Sequence, residues 1–389
     1  MDVWRDMQAR MEQLERDDML RRPAVLESGC GPVVRVGGRR AVCLCSNDYL
    51  ALAGDARVKR AAAAAVERWG VGAGGSRLVC GTTKLHAELE SRLAELKGAE
   101  SAVVTASGWT ANHAAVHALA GEGDLVLCDK LSHASILDAA RSCGAHVRTF
   151  AHRDVGRLAK LLERLRPRHR RCLIATDSLF SMDGDLAPLA ELADLRDRFE
   201  AVLMIDDAHA TGVLGAQGRG AAEALGVEGR IDVTVGTLSK ALAALGGFVA
   251  GPRALTETIV NTARAYIYTT ALPAAVCAAA VEAMNIVRDE PQRRQRLDEL
   301  AGRLRSDLRA AGLDAGPSVS QIIPVHLGSP ARALAVSRAL LEAGFLVPAI
   351  RPPSVPPGTS RLRVSVCCDH APADLERFAE SLAMHAREC

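Results

Sequence analysis

The stretch Ala201-Val-Leu-Met-Ile-Asp-Asp-Ala-His209 is a short apolar run that ends in two acids. Consecutive apolar residues of this kind are typical of a strand buried on both faces of a parallel sheet. Ligands of such sheets bind beyond the carboxyl ends of the strands. The stretch therefore predicts an α/β protein in which Asp206 lies at a ligand-binding edge, although an acid at this place can equally be a helix cap.

The same pattern extends in both directions from this stretch. Further short apolar runs lie at 101–105, 124–128, 146–150, 172–177, 232–236 and 246–250. Segments with helical periodicity lie among them at 56–69, 84–97, 109–120, 153–165 and 187–198. Short strands that alternate with helices predict a large domain with a mostly parallel central sheet.

The two ends of the chain have a different pattern. Residues 2–20 predict an amphipathic helix, and 31–45 predict a hairpin that turns at Gly37-Gly38. After about residue 286 the pattern predicts a compact α+β unit, with helices at 289–311, 331–343 and 372–386 and strands at 321–327 and 361–366. We therefore expect three parts: an N-terminal segment 1–45, a large domain 46–285 and a smaller C-terminal domain 286–389.

The composition argues against several classes of protein. The 389 residues carry 48 basic and 46 acidic side chains, so bulk charge does not suggest a nucleic-acid binder. The N-terminus lacks the apolar core of a secretory signal, and the apolar stretch around 270–283 is too short to cross a bilayer. The 11 cysteines lack metal-binding spacing, and we interpret most of them as small apolar residues. We expect a cytoplasmic protein without a metal site, a nucleic-acid partner or a membrane partner.

Lysine is rare, with six in the chain, and Lys240 has the most informative neighbours. It ends Gly236-Thr-Leu-Ser-Lys240, directly after an apolar strand, whereas an arbitrary loop lysine is simply solvated. Asp206 and His209 follow a neighbouring strand, at a spacing that lets both meet one planar ligand. A strand-end lysine, a carboxylate and an aromatic ligand are the arrangement that binds pyridoxal phosphate (PLP). There the lysine forms a Schiff base and the acid keeps the pyridine nitrogen protonated.

Two further loops could complete such a site. Ser107-Gly108-Trp109 follows the strand at 101–105 and opens a helix, so its backbone N–H groups would face an anion. Taken alone, Ser-Gly before a helix is usually only a cap. His133 follows the strand at 124–128 and could stack on a pyridine ring, although a single loop histidine is ordinarily a surface residue.

Taken together, these segments resemble the α-oxoamine synthase family of fold-type I PLP enzymes, over about residues 17–385. The resemblance rests on segments in the family's order and spacing: Ser46–Leu50 (SNDYL), Gly70–Arg77 (GVGAGGSR), Asp129–Ser135 (DKLSHAS), Asp177–Asp185 (DSLFSMDGD), Ile205–Gly212 (IDDAHATG), Thr237–Lys240 (TLSK) and Gly358–Arg363 (GTSRLR). It implies an α/β fold with a large domain and a smaller α+β domain, and an acyltransferase that requires PLP.

The resemblance also implies roles for the residues around the ring of PLP. Lys240 would bind PLP covalently and later move the α-proton of the substrate. Asp206 would pair with the pyridine nitrogen, and His133 would stack on the ring. His209 and Ser181 would hydrogen-bond the phenolate oxygen.

Other matching residues are expected around the phosphate. The segment Ser107, Gly108 and Trp109 would hold the phosphate together with Thr237, and the family usually has Phe or Tyr where Trp109 stands. Thr269 and Thr270 resemble a pair that reaches the phosphate of a neighbouring subunit. This implies a homodimer with the active site at the subunit interface.

A last group concerns the substrates. Arg361 resembles the arginine that grips the carboxylate of the amino acid, a task for which a planar guanidinium fork is suited. Arg21, Asn47 and Arg351 are weaker matches to the substrate region. The segment 349–364, which contains Ile-Arg-Pro-Pro, resembles the branch that condenses L-alanine with a pimeloyl thioester of coenzyme A or an acyl carrier protein.

Two alternatives stay open on the sequence. One is another branch of the family, of the 2-amino-3-ketobutyrate, 5-aminolevulinate or serine palmitoyl type. The other is a non-catalytic PLP-fold binding protein. The segment 78–85 and Cys367-Cys368 differ from the family's usual pattern, which bears more on acyl-chain fit than on the chemistry.

Overall fold

The computed structural model describes residues 2–388. Its α-helices are α1 Val3–Arg16, α2 Ala56–Trp69, α3 Lys84–Lys97, α4 Gly108–Leu119, α5 Ala134–Ser142, α6 Val155–Leu165, α7 Leu189–Arg198, α8 Ala221–Ala224, α9 Arg253–Thr262, α10 Arg264–Ile267, α11 Ala274–Asp289, α12 Gln292–Ala310, α13 Pro330–Glu342 and α14 Pro372–Glu388.

The strands are, in chain order, β1 Val33–Val36, β2 Arg39–Cys43, β3 Ser101–Thr105, β4 Leu125–Asp129, β5 His146–Phe150, β6 Cys172–Asp177, β7 Val202–Asp206, β8 Val233–Thr237, β9 Gly247–Gly251, β10 Ile322–Gly328, β11 Phe345–Leu346, β12 Ala349–Ile350 and β13 Ser360–Ser365. A π-helical turn, Arg77–Gly81, precedes α3, and 3-10 turns lie at Arg166–Arg168 and Glu228–Arg230.

The described chain divides into two compact units. The larger holds Leu52–Ser181 and Leu186–Arg294, and the smaller holds the residues up to Ala51, Met182–Asp185 and the chain from Gln295 onward. The sequence predicts boundaries at residues 45 and 285, and this three-part division stays a prediction. Within the described residues, no helix combines the length and the apolar character needed to cross a membrane.

The larger unit is built on a seven-stranded sheet in the order β3-β9-β8-β7-β6-β4-β5. Neighbours from β8 to β5 pair in parallel, whereas β9 is antiparallel to both β3 and β8. The parallel strands are joined by helical crossovers, as parallel pairing requires. The predicted fold class, α/β with a mostly parallel central sheet, is confirmed.

The inner strands of this sheet are buried on both faces, which explains why they are continuous apolar runs, whereas the edge strand β5 is partly exposed. Leu203 and Ile205 of β7 belong to a core that includes residues of α6 and α7. Met204, which points to the opposite face, belongs to a second core with residues of α4, α5 and α9. The carboxyl ends of β4, β6, β7 and β8 therefore share one edge of the sheet.

The smaller unit contains two three-stranded sheets. Strands β1 and β2 form the predicted hairpin, and β11 adds to β2 in parallel. The second sheet has the order β10-β13-β12 and is antiparallel throughout. The sequence pattern suggested one helix over 289–311, but α11 ends at Asp289 and α12 begins at Gln292. Pro291 lies between them, and a proline in the interior of a helix removes a backbone hydrogen bond to the preceding turn, so one continuous helix does not form here.

A buried ion pair anchors the turn that follows β7. The Lys97 ammonium lies 2.8 Å from Oδ2 of Asp207, and both side chains are almost fully buried. Thr211 donates to the same carboxylate oxygen at 3.0 Å, and Ser178 and the Ala221 N–H donate to Oδ1 at 2.6 and 3.1 Å. The carboxylate is thus surrounded by donors, and removal of the cation would leave a buried charge without its counter-charge.

We expect Lys97→Met to lower the free energy of unfolding by about 3–5 kcal/mol, the usual cost of breaking a buried ion pair from one side. Denaturation of the purified protein with urea, monitored by circular dichroism, measures this. Lys84→Met is the matched control, because Lys84 is an exposed lysine at the start of the same helix and should change stability by less than about 0.5 kcal/mol. Equal stability of the two variants would contradict the anchoring role.

Candidate active site

The first turn of α4 leaves two backbone donors available. Ser107 is the N-cap: its Oγ accepts from the Thr110 N–H at 3.1 Å, and Thr110 Oγ1 accepts from the Ser107 N–H at 2.9 Å. This capping box satisfies two of the helix's N-terminal donors. Within residues 2–388, the N–H groups of Gly108 and Trp109 donate to no acceptor. Two N–H groups at a helix N-terminus form an anion site.

Strand β9 packs tightly against this turn because it begins with glycine. A Cβ atom on Gly247 would lie 2.6 Å from the Gly108 nitrogen, a separation that real Cβ atoms do not show. A Cβ on Gly108, in contrast, would meet Thr237 at an ordinary 3.5 Å. The end of β8 and the start of α4 therefore lie side by side, with Thr237 next to the two N–H groups.

Asp206 ends β7 and is almost fully buried. Its Oδ1 accepts from the Ala208 N–H at 3.0 Å, and its Oδ2 accepts from Nδ2 of Asn112 at 2.7 Å. Asn112 belongs to α4, so the helix that carries the anion site also orients the carboxylate. Such an acid can hold a proton on a pyridine nitrogen placed against it.

His133 is the N-cap of α5, directly beyond β4. Its Nδ1 lies 2.7 Å from Ser135 Oγ, and its backbone N–H donates to Asp177 Oδ1 at 3.0 Å. The edge of its ring meets Trp109, with ring centroids 6.1 Å apart. Burial lowers the pKa of His133; the Asp206 carboxylate opposes this and the Lys240 cation adds a smaller lowering, so the imidazole is neutral at pH 7.

Asp177 ends β6, one strand from Asp206, and is fully enclosed. Burial and the nearby Asp206 carboxylate raise the pKa of Asp177 well above its usual range, while the Lys240 cation opposes this. Lys240 thus lies close enough to both Asp177 and His133 for its charge to act on them. The arrangement places a cation, a neutral imidazole and two acids at one sheet edge.

A cavity of about 170 Å³ occupies this edge. All of its lining residues belong to the larger unit; they are Gly108, Trp109, Asn112, His133, Ser135, Asp177, Asp206, Ala208, His209, Thr237, Ser239 and Lys240. The donor set fits PLP on its chemistry: two unused N–H groups for the phosphate, a buried carboxylate for the ring nitrogen and a lysine amine for the aldehyde.

The structure brings together most of the residues that the sequence singled out. Gly108, Trp109, His133, Asp206, His209, Thr237 and Lys240 all line the cavity. Ser107 caps the helix behind it, and Ser181 lies outside the lining. Thr269 donates to the Ala265 carbonyl at 2.7 Å, and Thr270 is exposed; neither lines this cavity. The cofactor and catalytic roles given to all of these residues stay predictions.

The four predicted substrate residues belong to the smaller unit. Arg361 pairs with Asp183 at 2.5 Å and donates to the Thr359 carbonyl at 3.0 Å. Asn47 accepts from the Tyr49 hydroxyl and from Arg363, at 3.0 and 3.1 Å. Arg21 donates to the Pro352 carbonyl at 2.8 Å, and Arg351 donates to the carbonyls of Asp18 and Leu20. These substrate roles also stay predictions.

Sequence reasoning gave no role to Asn112, Ser135, Asp177 or Ser239. Two of them carried a signal. Asp177 ends an apolar strand, as Asp206 does. Asn112 is four residues after Gly108, so Asn112 and Gly108 lie on the same side of α4. An amide within the alanine-rich segment Thr110–Leu119 is also unusual for a buried helix face.

These features define an enzyme of the PLP-dependent aminotransferase class I and II, whose family model matches residues 39–382. The chain is 49% identical over 375 residues to an 8-amino-7-oxononanoate synthase of Anaeromyxobacter dehalogenans, covering 96% of this chain and 94% of the relative. It is 45% identical over 390 residues to that of Geobacter sulfurreducens, covering 99% and 98%. The chain therefore belongs to the 8-amino-7-oxononanoate synthase family.

Solved structures agree with this placement. A serine palmitoyltransferase from S. paucimobilis, with a bound PLP–myriocin aldimine, has a TM-score of 0.95 at 33% identity, covering 100% of this chain and 99% of that one. An 8-amino-7-oxononanoate synthase from Francisella tularensis has a TM-score of 0.76 at 26% identity, covering 90% and 98%. The predicted family and the PLP dependence are confirmed.

Proposed function

We propose that the protein catalyses the decarboxylative condensation of L-alanine with a pimeloyl thioester, giving 8-amino-7-oxononanoate, CO₂ and the free thiol, in biotin biosynthesis. The observation that carries this proposal is the cavity in which Lys240, Asp206 and His133 face one another. It occurs in a chain that is nearly half identical to relatives bearing that enzyme's name. The acyl carrier is coenzyme A or an acyl carrier protein.

In this proposal the cavity residues hold PLP by its three polar parts. The N–H groups of Gly108 and Trp109, with Thr237, bind the phosphate, and Asp206 holds the proton on the ring nitrogen. His209 and Ser181 bind the phenolate oxygen. When bound, PLP supplies a protonated ring that accepts the electron pair left behind when a bond to the substrate's α-carbon breaks.

Lys240 has two tasks in the proposed reaction. Its amine holds the cofactor until the amino group of alanine takes its place. The released Nζ then removes the proton from the α-carbon, and after CO₂ has left it returns a proton to that carbon. Removing the proton requires a neutral amine, which partial burial beside a cationic ring favours. His133, neutral at pH 7, can pack on the ring without adding a second positive charge.

We assign the alanine carboxylate to Arg361 and the remainder of the substrate region to Arg21, Asn47 and Arg351. Arg361 is almost fully buried and keeps a rigid hydrogen-bonding frame with Asp183 and Thr359. A guanidinium held in this way offers a carboxylate a fixed pair of donors. These hydrogen bonds support a binding role for Arg361.

We also propose that the enzyme works in the cytoplasm as a homodimer with its active site at the subunit interface. In it, Thr269 and Thr270 would reach the phosphate bound by the neighbouring subunit. Thr270 and Tyr268 are both exposed on the single chain, which supports a position that a second subunit covers.

Steady-state kinetics with matched substrates tests the proposed reaction. We expect thiol release with L-alanine and pimeloyl-CoA or pimeloyl acyl carrier protein. With glycine or serine, kcat/KM should fall about tenfold or more, since a single methylene or hydroxyl is worth that much in a fitted pocket. Mass spectrometry of the product should show loss of CO₂. Preference for serine with a palmitoyl thioester, or for glycine, would instead assign the protein to another branch. Absence of turnover in a PLP-loaded sample with every pair would indicate a binding protein.

A further inference from the structure

Asn112 links two of the proposed cofactor contacts. It lies on α4 with no exposed surface, and its Nδ2 is 2.7 Å from Asp206 Oδ2 and 2.8 Å from Ser135 Oγ. Ser135 Oγ in turn lies 2.7 Å from Nδ1 of His133. One amide group therefore connects the acid at the end of β7 with the histidine at the start of α5.

The direction of each hydrogen bond follows from the chemistry of the groups. Oδ2 of Asp206 accepts from the nitrogen of the Asn112 amide, since carboxylate oxygens are acceptors. The second N–H of the same nitrogen donates to Ser135 Oγ. The single hydroxyl proton of Ser135 is then available for Nδ1 of His133. The Ser135 backbone N–H also points at that nitrogen, at 3.3 Å. Nδ1 is thus an acceptor, and the ring proton of His133 lies on Nε2.

Asn112 has a buried amide oxygen without a partner in the described chain, which is unfavourable and indicates that the residue is retained for its N–H donors. The neighbouring buried residues Ala111, Ala114 and Ala115 are apolar. An apolar side chain at 112 would avoid the unpaired oxygen, but it would leave Asp206 Oδ2 without its side-chain donor.

We propose that Asn112 is a positioning residue that orients Asp206 toward the ring nitrogen of PLP and, through Ser135, holds His133 as the neutral Nε2–H tautomer. This rests on the proposed contact between Asp206 and the ring nitrogen. The charged and titratable groups that face this network are Asp177, Lys240 and His209, together with Asp206 and His133 themselves.

The pH dependence of the visible absorbance of bound PLP tests the Asp206 arm. In Asn112→Leu, the less constrained acid should hold the ring proton less firmly. The ring then carries less positive charge, so the nitrogen of Lys240 keeps its proton to higher pH. We expect the absorbance midpoint to rise by about one pH unit and the Kd for PLP to rise about tenfold. Fluorescence titration of the apoprotein with PLP gives the Kd.

Two companion variants separate positioning from packing. Asn112→Ala removes the same donors with a smaller side chain that suits an α-helix, so both readouts should move in the same direction as in Asn112→Leu even where stability differs. Asn285→Ala removes a half-buried amide of α11 that pairs with Arg92 and should leave both readouts unchanged. Unchanged midpoints and Kd values in folded Asn112→Leu and Asn112→Ala would overturn the proposal.

Ser135→Ala tests the His133 arm. It keeps the bond from Asn112 to Asp206 and removes the hydroxyl that donates to His133 Nδ1. We expect the imidazole ¹⁵N resonances of His133 at pH 7 to move toward the protonated form while the PLP absorbance midpoint changes little. Unmoved resonances would remove Ser135 from the proposal.

Asp206→Asn separates failure of this inference from failure of the proposed cofactor site. If Asp206→Asn alters PLP binding but the Asn112 variants do not, only the positioning role of Asn112 fails. If Asp206→Asn has no effect, the proposed cofactor site fails as well.

Discussion

Replacing Lys240 with alanine should abolish the covalent attachment of PLP and lower turnover by about 10³-fold or more. The amine is both the group that bonds to the cofactor and the base that moves the α-proton, and a positioned base alone contributes about 10²–10⁴-fold. Reduction of the wild-type protein with borohydride should fix PLP on the peptide that contains Lys240, detected by mass spectrometry. The variant should give no modified peptide, although PLP can still bind through the other contacts.

Lys130→Ala is the control for this experiment, because Lys130 is an exposed lysine directly after β4. It should retain both the labelled peptide and wild-type turnover. A Lys240→Ala protein that still turned over alanine and pimeloyl thioester at the wild-type rate would show that another group performs both tasks. Labelling of another lysine in the wild type would identify that group.

The Asp206→Asn variant should lower kcat at least about 10²-fold while PLP remains covalently bound. The change preserves shape and removes the charge that holds the ring nitrogen's proton, and loss of one preorganised electrostatic contact of this kind costs about 10²–10³-fold. Removal of the α-proton should then become slower than the later steps. Rates with L-alanine and with α-deuterated L-alanine measure this, and the kinetic isotope effect should increase relative to the wild type.

Asp206→Glu is the matched comparison, since it keeps the charge and shifts its position by one methylene. It should retain more activity than Asp206→Asn. If the two variants lost activity equally, the geometry of the carboxylate and not its charge would be what matters. A wild-type kcat and isotope effect in Asp206→Asn would mean that Asp206 only ties Ala208 and Asn112 together.

The layered fold and the core of the site followed from local sequence patterns. The run that ends at Asp206 is apolar throughout because its strand has two buried faces, and the sheet edge where Lys240, His133 and Asp206 meet follows from parallel pairing. These features depend on short stretches of chain. For that reason the strands of the large unit and the placement of these residues at one edge could be predicted before the structure was known.

The contacts that orient the site depended on distant parts of the chain and left little local signal. Lys97 and Asp207 are 110 residues apart, and Lys97 resembles any lysine at the end of an exposed helix. Asn112 meets Asp206 only because α4 packs against β8 and β9, beside the end of β7. The partnership of Arg361 with Asp183 likewise joins residues 178 positions apart. Packing of this kind is decided by the whole fold, and no periodicity or motif records it.

The capping box at the start of α4 also bears on how this site can change over evolutionary time. The two donors that it leaves available belong to the main chain, so at position 109 only proline would delete one of them. The side chain of Trp109 is about 44% exposed and can drift among large aromatic residues without altering the anion contact. Functional constraint therefore falls on Gly247, which lets the strand approach the turn, and on the cap at Ser107 and Thr110, while residue 109 can change and leave the anion contact in place.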